Sequence, residues 1–153
     1  MKLADFVRED LILADLQATE KGAVIDEIAA LIAARVPTLE AAAVARILKD
    51  REELASTAVG DGVAIPHGKL AAAGDLVACV ARATGGLDFA AHDGKPTYLF
   101  VVLVAPENST GVHLKALARI SRLFKDADFR QRLLEAPDAP AMYAALIEED
   151  AKV

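Results

Sequence analysis

Residues 97–105 read Thr97-Tyr98-Leu99-Phe100-Val101-Val102-Leu103-Val104-Ala105, an almost unbroken run of apolar and β-branched side chains. Such residues favour a strand, and because polar and apolar positions hardly alternate, both of its faces have to be covered. A strand buried on both sides belongs inside a sheet with helices packed above and below it. Its apolar part is far short of the roughly 20 residues that span a bilayer.

The neighbouring segments supply the rest of that architecture. Leu76 to Ala83 is a second apolar, β-branched segment, and Asp93-Gly94 between the two is a turn signal. Leu11-Ile12-Leu13 reads as a short first strand. After it, Val24, Ile25, Ile28, Leu31 and Ile32 recur at helical spacing, with Thr19 as the expected N-cap and Pro37 closing the segment. A second helix is predicted from Thr38 to Leu54, with Val44, Ile47 and Leu48 on its inner face and Arg51 in its last turns. Downstream, His113, Leu117, Ile120 and Phe124 form a helical stripe behind the capping candidates Ser109 and Thr110. Asp126 and Asp138 are expected to open two short helices that carry Phe129, Leu133, Leu134, Met142, Leu146 and Ile147 inward. The sum is an α/β layered domain.

Composition bounds what such a domain does. The chain has 153 residues, 54% apolar and 26% charged, with no linker, charge block or repeat to divide it, so one domain over 1–153 is expected. Seventeen Lys and Arg against 23 Asp and Glu leave a net charge of −6, the wrong sign for gripping nucleic acid or anionic lipid. The N-terminal Met1-Lys2-Leu3-Ala4-Asp5 lacks a signal-peptide core, so a cytoplasmic protein with no direct membrane insertion is expected. Cys79, the one cysteine, sits among Val77, Ala78 and Val80 and reads as a small buried hydrophobe.

Chemistry concentrates in the segment Ser56 to Lys69. Three of the nine glycines, Gly60, Gly62 and Gly68, fall within nine residues around Pro66-His67. Glycine allows close approaches that a Cβ forbids, and Pro66 stiffens the backbone before the histidine. His67 is therefore presented on a stiff, bared loop, suited to meeting another molecule. The plainer alternative makes Gly60-Asp61-Gly62 an ordinary turn and His67 a surface residue. A neutral imidazole at cytoplasmic pH has one nitrogen free to attack, provided an acceptor holds the proton on the other. The sequence does not name that acceptor.

The other constellations are weaker. His67, His92, His113 and Cys79 lack the short spacings of a structural zinc site, so no metal is expected. There is no G-x-x-x-x-G-K-[ST] phosphate loop and no G-x-S-x-G elbow, which removes support from nucleotide-driven and serine-nucleophile chemistry. His92 lies in a polar turn and reads as an exposed bystander. His113 falls in the first turn of a helix on the inward stripe, either as a satisfied core histidine or as a second imidazole beside an anion.

The run Ser56 to Leu70, S-T-A-V-G-D-G-V-A-I-P-H-G-K-L, resembles the active-site segment of the IIA components of the bacterial phosphoenolpyruvate phosphotransferase system, in the fructose/mannitol/nitrogen-regulatory family. The likeness continues through Arg51-Glu52, Phe100 to Pro106, His113-Leu114 and Arg122-Leu123. It implies a single mixed β-sheet flanked by helices on both faces. It also implies a phosphotransferase component whose His67 accepts a phosphoryl group from HPr or its nitrogen-branch counterpart, with Arg51 as supporting arginine and His113 as second active-site histidine. No cofactor or metal is implied, because the donor is already a phosphohistidine. Without the resemblance, Arg51 reads as a solvated helix-end cation.

The same resemblance leaves two roles. A sugar-specific IIA passes its phosphoryl group to an EIIB, whereas a nitrogen-type protein signals to regulatory targets through its phosphorylation state. P-H-G-K-L resembles the nitrogen-type form, and no IIB or membrane segment is fused to these residues, so regulation is the expected role. The rival from another class is a non-catalytic interaction module with the same fold.

Overall fold

The computed structural model describes residues 1–152. After a 3-10 turn at Leu3–Asp5, the chain runs through β1 (Val7–Leu13), α1 (Lys21–Arg35) and α2 (Ala41–Leu54). Three short strands follow, β2 (Ala58–Gly60), β3 (Val63–Ala64) and β4 (His67–Lys69). Then come β5 (Val77–Leu87), β6 (Thr97–Ala105), α3 (Thr110–Leu123), α4 (Ala127–Glu135) and α5 (Ala139–Ala151).

The strands form one mixed sheet in the order β1-β5-β6-β3-β2, with β4 also pairing β6. β6 runs antiparallel to β5, with Cys79 opposite Val102 and Ala81 opposite Phe100. On its other side it runs parallel first to β3 and then to β4, with Ala64 beside Phe100 and His67 beside Leu103. Pro66 lies between these two pairings. It has no N–H to give the ladder, but its carbonyl accepts from Leu103 N at 2.9 Å. The chain therefore breaks at Ile65-Pro66 and rejoins β6 at the histidine.

Side chains alternate across the sheet, and both faces are dry. Phe100, Val102 and Val104 meet Val24, Ile28 and Ile32 of α1 and Val44 and Leu48 of α2. Leu99, Val101 and Leu103 meet Ile120 of α3, Phe129 and Leu133 of α4, and Met142 and Leu146 of α5. The expected layers, including a central strand covered twice, are present.

The differences lie at the helix ends. α1 starts at Lys21 with Glu20 in the N-cap position, and no side chain caps it. Thr19 is not the cap, because the carboxylate of Glu27 braces the connection instead, accepting from Gln17 N and Ala18 N. α2 begins at Ala41 rather than Thr38, since the preceding residues turn tightly and Leu39 N donates to Val36 O at 2.9 Å. Ser109 occupies the N-cap position of α3, but its hydroxyl donates to Pro106 O and so does not cap with its side chain. Asp126 and Asp138 do cap α4 and α5, accepting from Phe129 N and Ala141 N respectively. Leu117, Leu134 and Ile147 are half-buried at the margins of the core.

Candidate functional site

The site forms where the two helical layers meet at β4. Gly60-Asp61-Gly62 is the turn of the β2–β3 hairpin, with φ of +105°, +57° and +77°. The plainer reading of that turn therefore holds, while His67, five residues on, is half-buried rather than a free surface residue. At the next position, a Cβ on Gly68 would lie 2.9 Å from Ile47 Cδ1. The glycine thus lets α2 approach the strand closely.

His67 Nδ1 lies 2.8 Å from Ile65 O. A carbonyl only accepts, so Nδ1 carries the proton and Nε2 keeps its lone pair. This is the acceptor that the sequence could not name: a main-chain atom, whose position depends on the backbone bend before Pro66. Burial holds the imidazole below its ordinary pKa of 6.5; Arg51 adds to that effect, while the Ile65 bond and Glu52 oppose it. The lowering favours the neutral ring, the form in which Nε2 keeps its lone pair.

His113 meets this ring edge to face, with centroids 5.4 Å apart and an interplanar angle of 80°. It lies in the first turn of α3, is 5% exposed, and has no hydrogen-bond partner at either ring nitrogen. The expectation of an inward-facing ring holds, but it is not a satisfied core histidine. Burial lowers its pKa most, followed by His67 and then Lys69. A buried imidazole without a partner costs about 1–3 kcal/mol, a cost that a hydrogen-bonding group delivered to this site would remove.

Arg51 approaches from α2. Its charge acts on His67, yet its Nη1 donates to Ala55 O at 2.9 Å, at the end of its own helix. Next to it, Glu52 is buried and accepts from Thr57 N, Thr57 Oγ1 and Lys21 Nζ. This network anchors the chain leaving α2 and went unnoticed in the sequence, where a Glu following an Arg looks like an ordinary surface pair. Lys69 was also missed. Its Nζ donates to Thr110 Oγ1 at 2.8 Å, at the start of α3. Its position two residues after His67 on a strand was the available signal, since such side chains share a face.

The remaining candidates lie apart from this cluster. His92 is exposed, with Nε2 3.2 Å from Ser56 O. Cys79 is fully buried and its thiol pKa is pushed up to about 12, which leaves it unreactive. Among the described residues, no three His, Cys, Asp or Glu side chains gather in a way that could hold a metal ion.

Comparison with known proteins identifies relatives of nearly the whole chain. Residues 5–149 match the family model described as "Phosphoenolpyruvate-dependent sugar phosphotransferase system, EIIA 2". The chain is 42% identical over 146 residues to a nitrogen regulatory protein of Bradyrhizobium diazoefficiens, covering 95% of each chain. It is 37% identical over 134 residues to a fructose-specific EIIA component of Haloferax volcanii, covering 86% of this chain and 84% of that one. Its fold superimposes on the crystal structure of the nitrogen regulatory protein IIA-Ntr from Neisseria meningitidis with a TM-score of 0.87 at 32% identity, covering 94% of this chain and 98% of that one. The matched family model, the nitrogen regulatory relatives and the shared fold together show that the chain belongs to the EIIA type 2 family of the phosphotransferase system, as a phosphotransfer component.

Proposed function

We propose that His67 accepts a phosphoryl group from the phosphohistidine of HPr or its nitrogen-branch counterpart, with Arg51 and His113 stabilising the group. The observation that carries this reading is the Nδ1 bond to Ile65 O, which leaves Nε2 as the nucleophile beside His113. In the transfer, the Nε2 lone pair forms a P–N bond as the P–N bond to the donor imidazole breaks. That bonding pair returns to the donor nitrogen. The proton stays on His67 Nδ1, donated to Ile65 O, throughout, so no proton has to be moved.

Charge on the phosphoryl oxygens is the main demand of such a step, and positioned donors meet it. The forked guanidinium of Arg51 and the unpartnered nitrogens of His113 are suited to those oxygens. Leu54, Val112 and Leu114 are exposed apolar side chains on α2 and α3, the helices that carry Arg51 and His113. They support docking of a carrier protein over the imidazole. One sheet shared by both helical layers supports reading 1–153 as a single functional domain.

The likeness to nitrogen regulatory proteins favours a protein that acts on partners according to its phosphorylation state. Phosphorylation adds about −1.5 to −2 charges to the His67 edge, which a partner surface can sense. The fructose-specific relative supports the second reading, onward transfer to an EIIB. Among the described residues no helix is long and apolar enough to cross a membrane. On either reading the protein works in the cytoplasm with its phosphoryl donor.

The test is incubation with phosphoenolpyruvate, the first enzyme of the system and HPr, followed by intact mass measurement. Wild type should gain one acid-labile phosphoryl group, and His67→Ala none. Labelling of His67→Ala would remove His67 as the acceptor. His113→Ala should impair transfer more than His92→Ala, and equal effects would leave His113 a core residue.

A further inference from the structure

We propose that the Lys69 ammonium is a direct ligand of the phosphoryl group on His67, moving from Thr110 to a phosphoryl oxygen when the group arrives. The inference deepens the phosphotransfer reading above and rests on it.

Three observations carry it. First, His67 and Lys69 are the first and third residues of β4, so their side chains leave the same face of the sheet. Second, both reach the first turn of α3. The His67 ring meets His113, and Lys69 Nζ donates to Thr110 Oγ1 at 2.8 Å. Thr110 and His113 are three residues apart and so lie on one helix face, about 5–6 Å between Cβ atoms. Third, the Lys69 ammonium has no ion-pair partner among the described residues in the bare arrangement. Its charge sits at the positive end of the α3 dipole, where a cation is disfavoured. Beside it, His113 is buried with both ring nitrogens unpartnered. A dianion held at His67 Nε2 would relieve both conditions, pairing with the ammonium and hydrogen-bonding to the imidazole. Arg51 would then face the group from the α2 side and Lys69 from the α3 side.

The experiment uses the full chain as wild type, Lys69→Gln, Lys69→Arg and Thr110→Val. Each is phosphorylated through phosphoenolpyruvate, the first enzyme and HPr. Two quantities are read: the equilibrium partition of the phosphoryl group between HPr and this protein, and the pH of the second phosphoryl ionisation by 31P NMR. Lys69→Gln should shift the partition toward HPr about three- to tenfold and raise the ionisation by about half a pH unit, because the dianion has lost a cation. Lys69→Arg and Thr110→Val, which keep the positive charge, should stay near wild type.

Identical values for Lys69→Gln and wild type would overturn the proposal. A changed partition with an unchanged ionisation would assign Lys69 to docking of HPr and would also overturn it. Thr110→Val behaving like Lys69→Gln would make the contact structural, with the same consequence. Failure of wild type to take up a phosphoryl group is a separate result, and it would overturn the phosphotransfer reading itself.

Discussion

Ile47 of α2 rests directly on the backbone of Gly68, where a Cβ would stand 2.9 Å from Ile47 Cδ1, 3.2 Å from Cγ1 and 3.3 Å from Cβ. Ile47 and Arg51 are one turn apart on the same helix face. The contact that seats α2 against β4 therefore also sets where the guanidinium stands relative to His67, the residue before the glycine.

Gly68→Ala should lower stability by about 1–3 kcal/mol, the usual cost of overpacking a tight contact. Phosphorylation should slow as α2 is pushed away, carrying Arg51 with it. Ile47→Val removes the Cδ1 methyl and should recover part of both losses in the double variant. Urea titration and the HPr labelling rate check this; additive effects of the two substitutions would mean that the contact does not couple them.

Arg51→Ala should slow labelling by about 10- to 100-fold, since a forked cation is lost from the charge that develops on the phosphoryl oxygens. Its stability cost should stay small, because the half-buried guanidinium makes one hydrogen bond to the end of its own helix. Arg51→Lys should recover only part of the rate. Stopped labelling reactions and a thermal melt measure the two effects separately.

Glu52→Gln should destabilise the fold by about 1–3 kcal/mol. The buried carboxylate accepts from Thr57 N and Thr57 Oγ1 and pairs with Lys21 Nζ at 3.0 Å, and an amide cannot serve all three donors. Denaturant midpoints read the loss. Amide exchange should quicken at Thr57, whose N–H loses a charged acceptor.

His67 and His113 both bind protons less readily in the fold than at the ordinary histidine pKa of 6.5, chiefly because they are buried. The unfolded chain then takes up more protons than the folded one as pH falls through that value. Their contribution to stability is present above pH 6.5 and is lost below it, toward the lower folded values. The urea midpoint should fall between pH 7.5 and pH 5.5, and His113→Asn should flatten that dependence.

Much of the fold was legible because it follows from local composition. The unbroken apolar run 97–105 demanded cover on both faces, and the helical stripes at Val24–Ile32 and His113–Phe124 showed what provides it. Helix starts were legible only where the capping side chain is used as a cap. Asp126 and Asp138 do cap, whereas no side chain caps α1, and Glu27 within that helix instead braces the connection before it at Gln17 and Ala18.

At the site, the glycines and proline crowded around His67 made it a candidate from chain order, beside the plainer reading as a surface residue, and the family likeness gave it the role of phosphoryl acceptor. The family likeness added Arg51 and chose between the two readings that the helical stripe left open for His113. Folding decided which nitrogen is free, since Ile65 O becomes an acceptor only once the backbone bends at Pro66. It also decided that His113 is left without a partner and that Lys69 reaches Thr110, 41 positions away. These are relations between distant segments, set by the parallel pairing of β4 with β6 and the return of α3 over the sheet, and no local pattern encodes them.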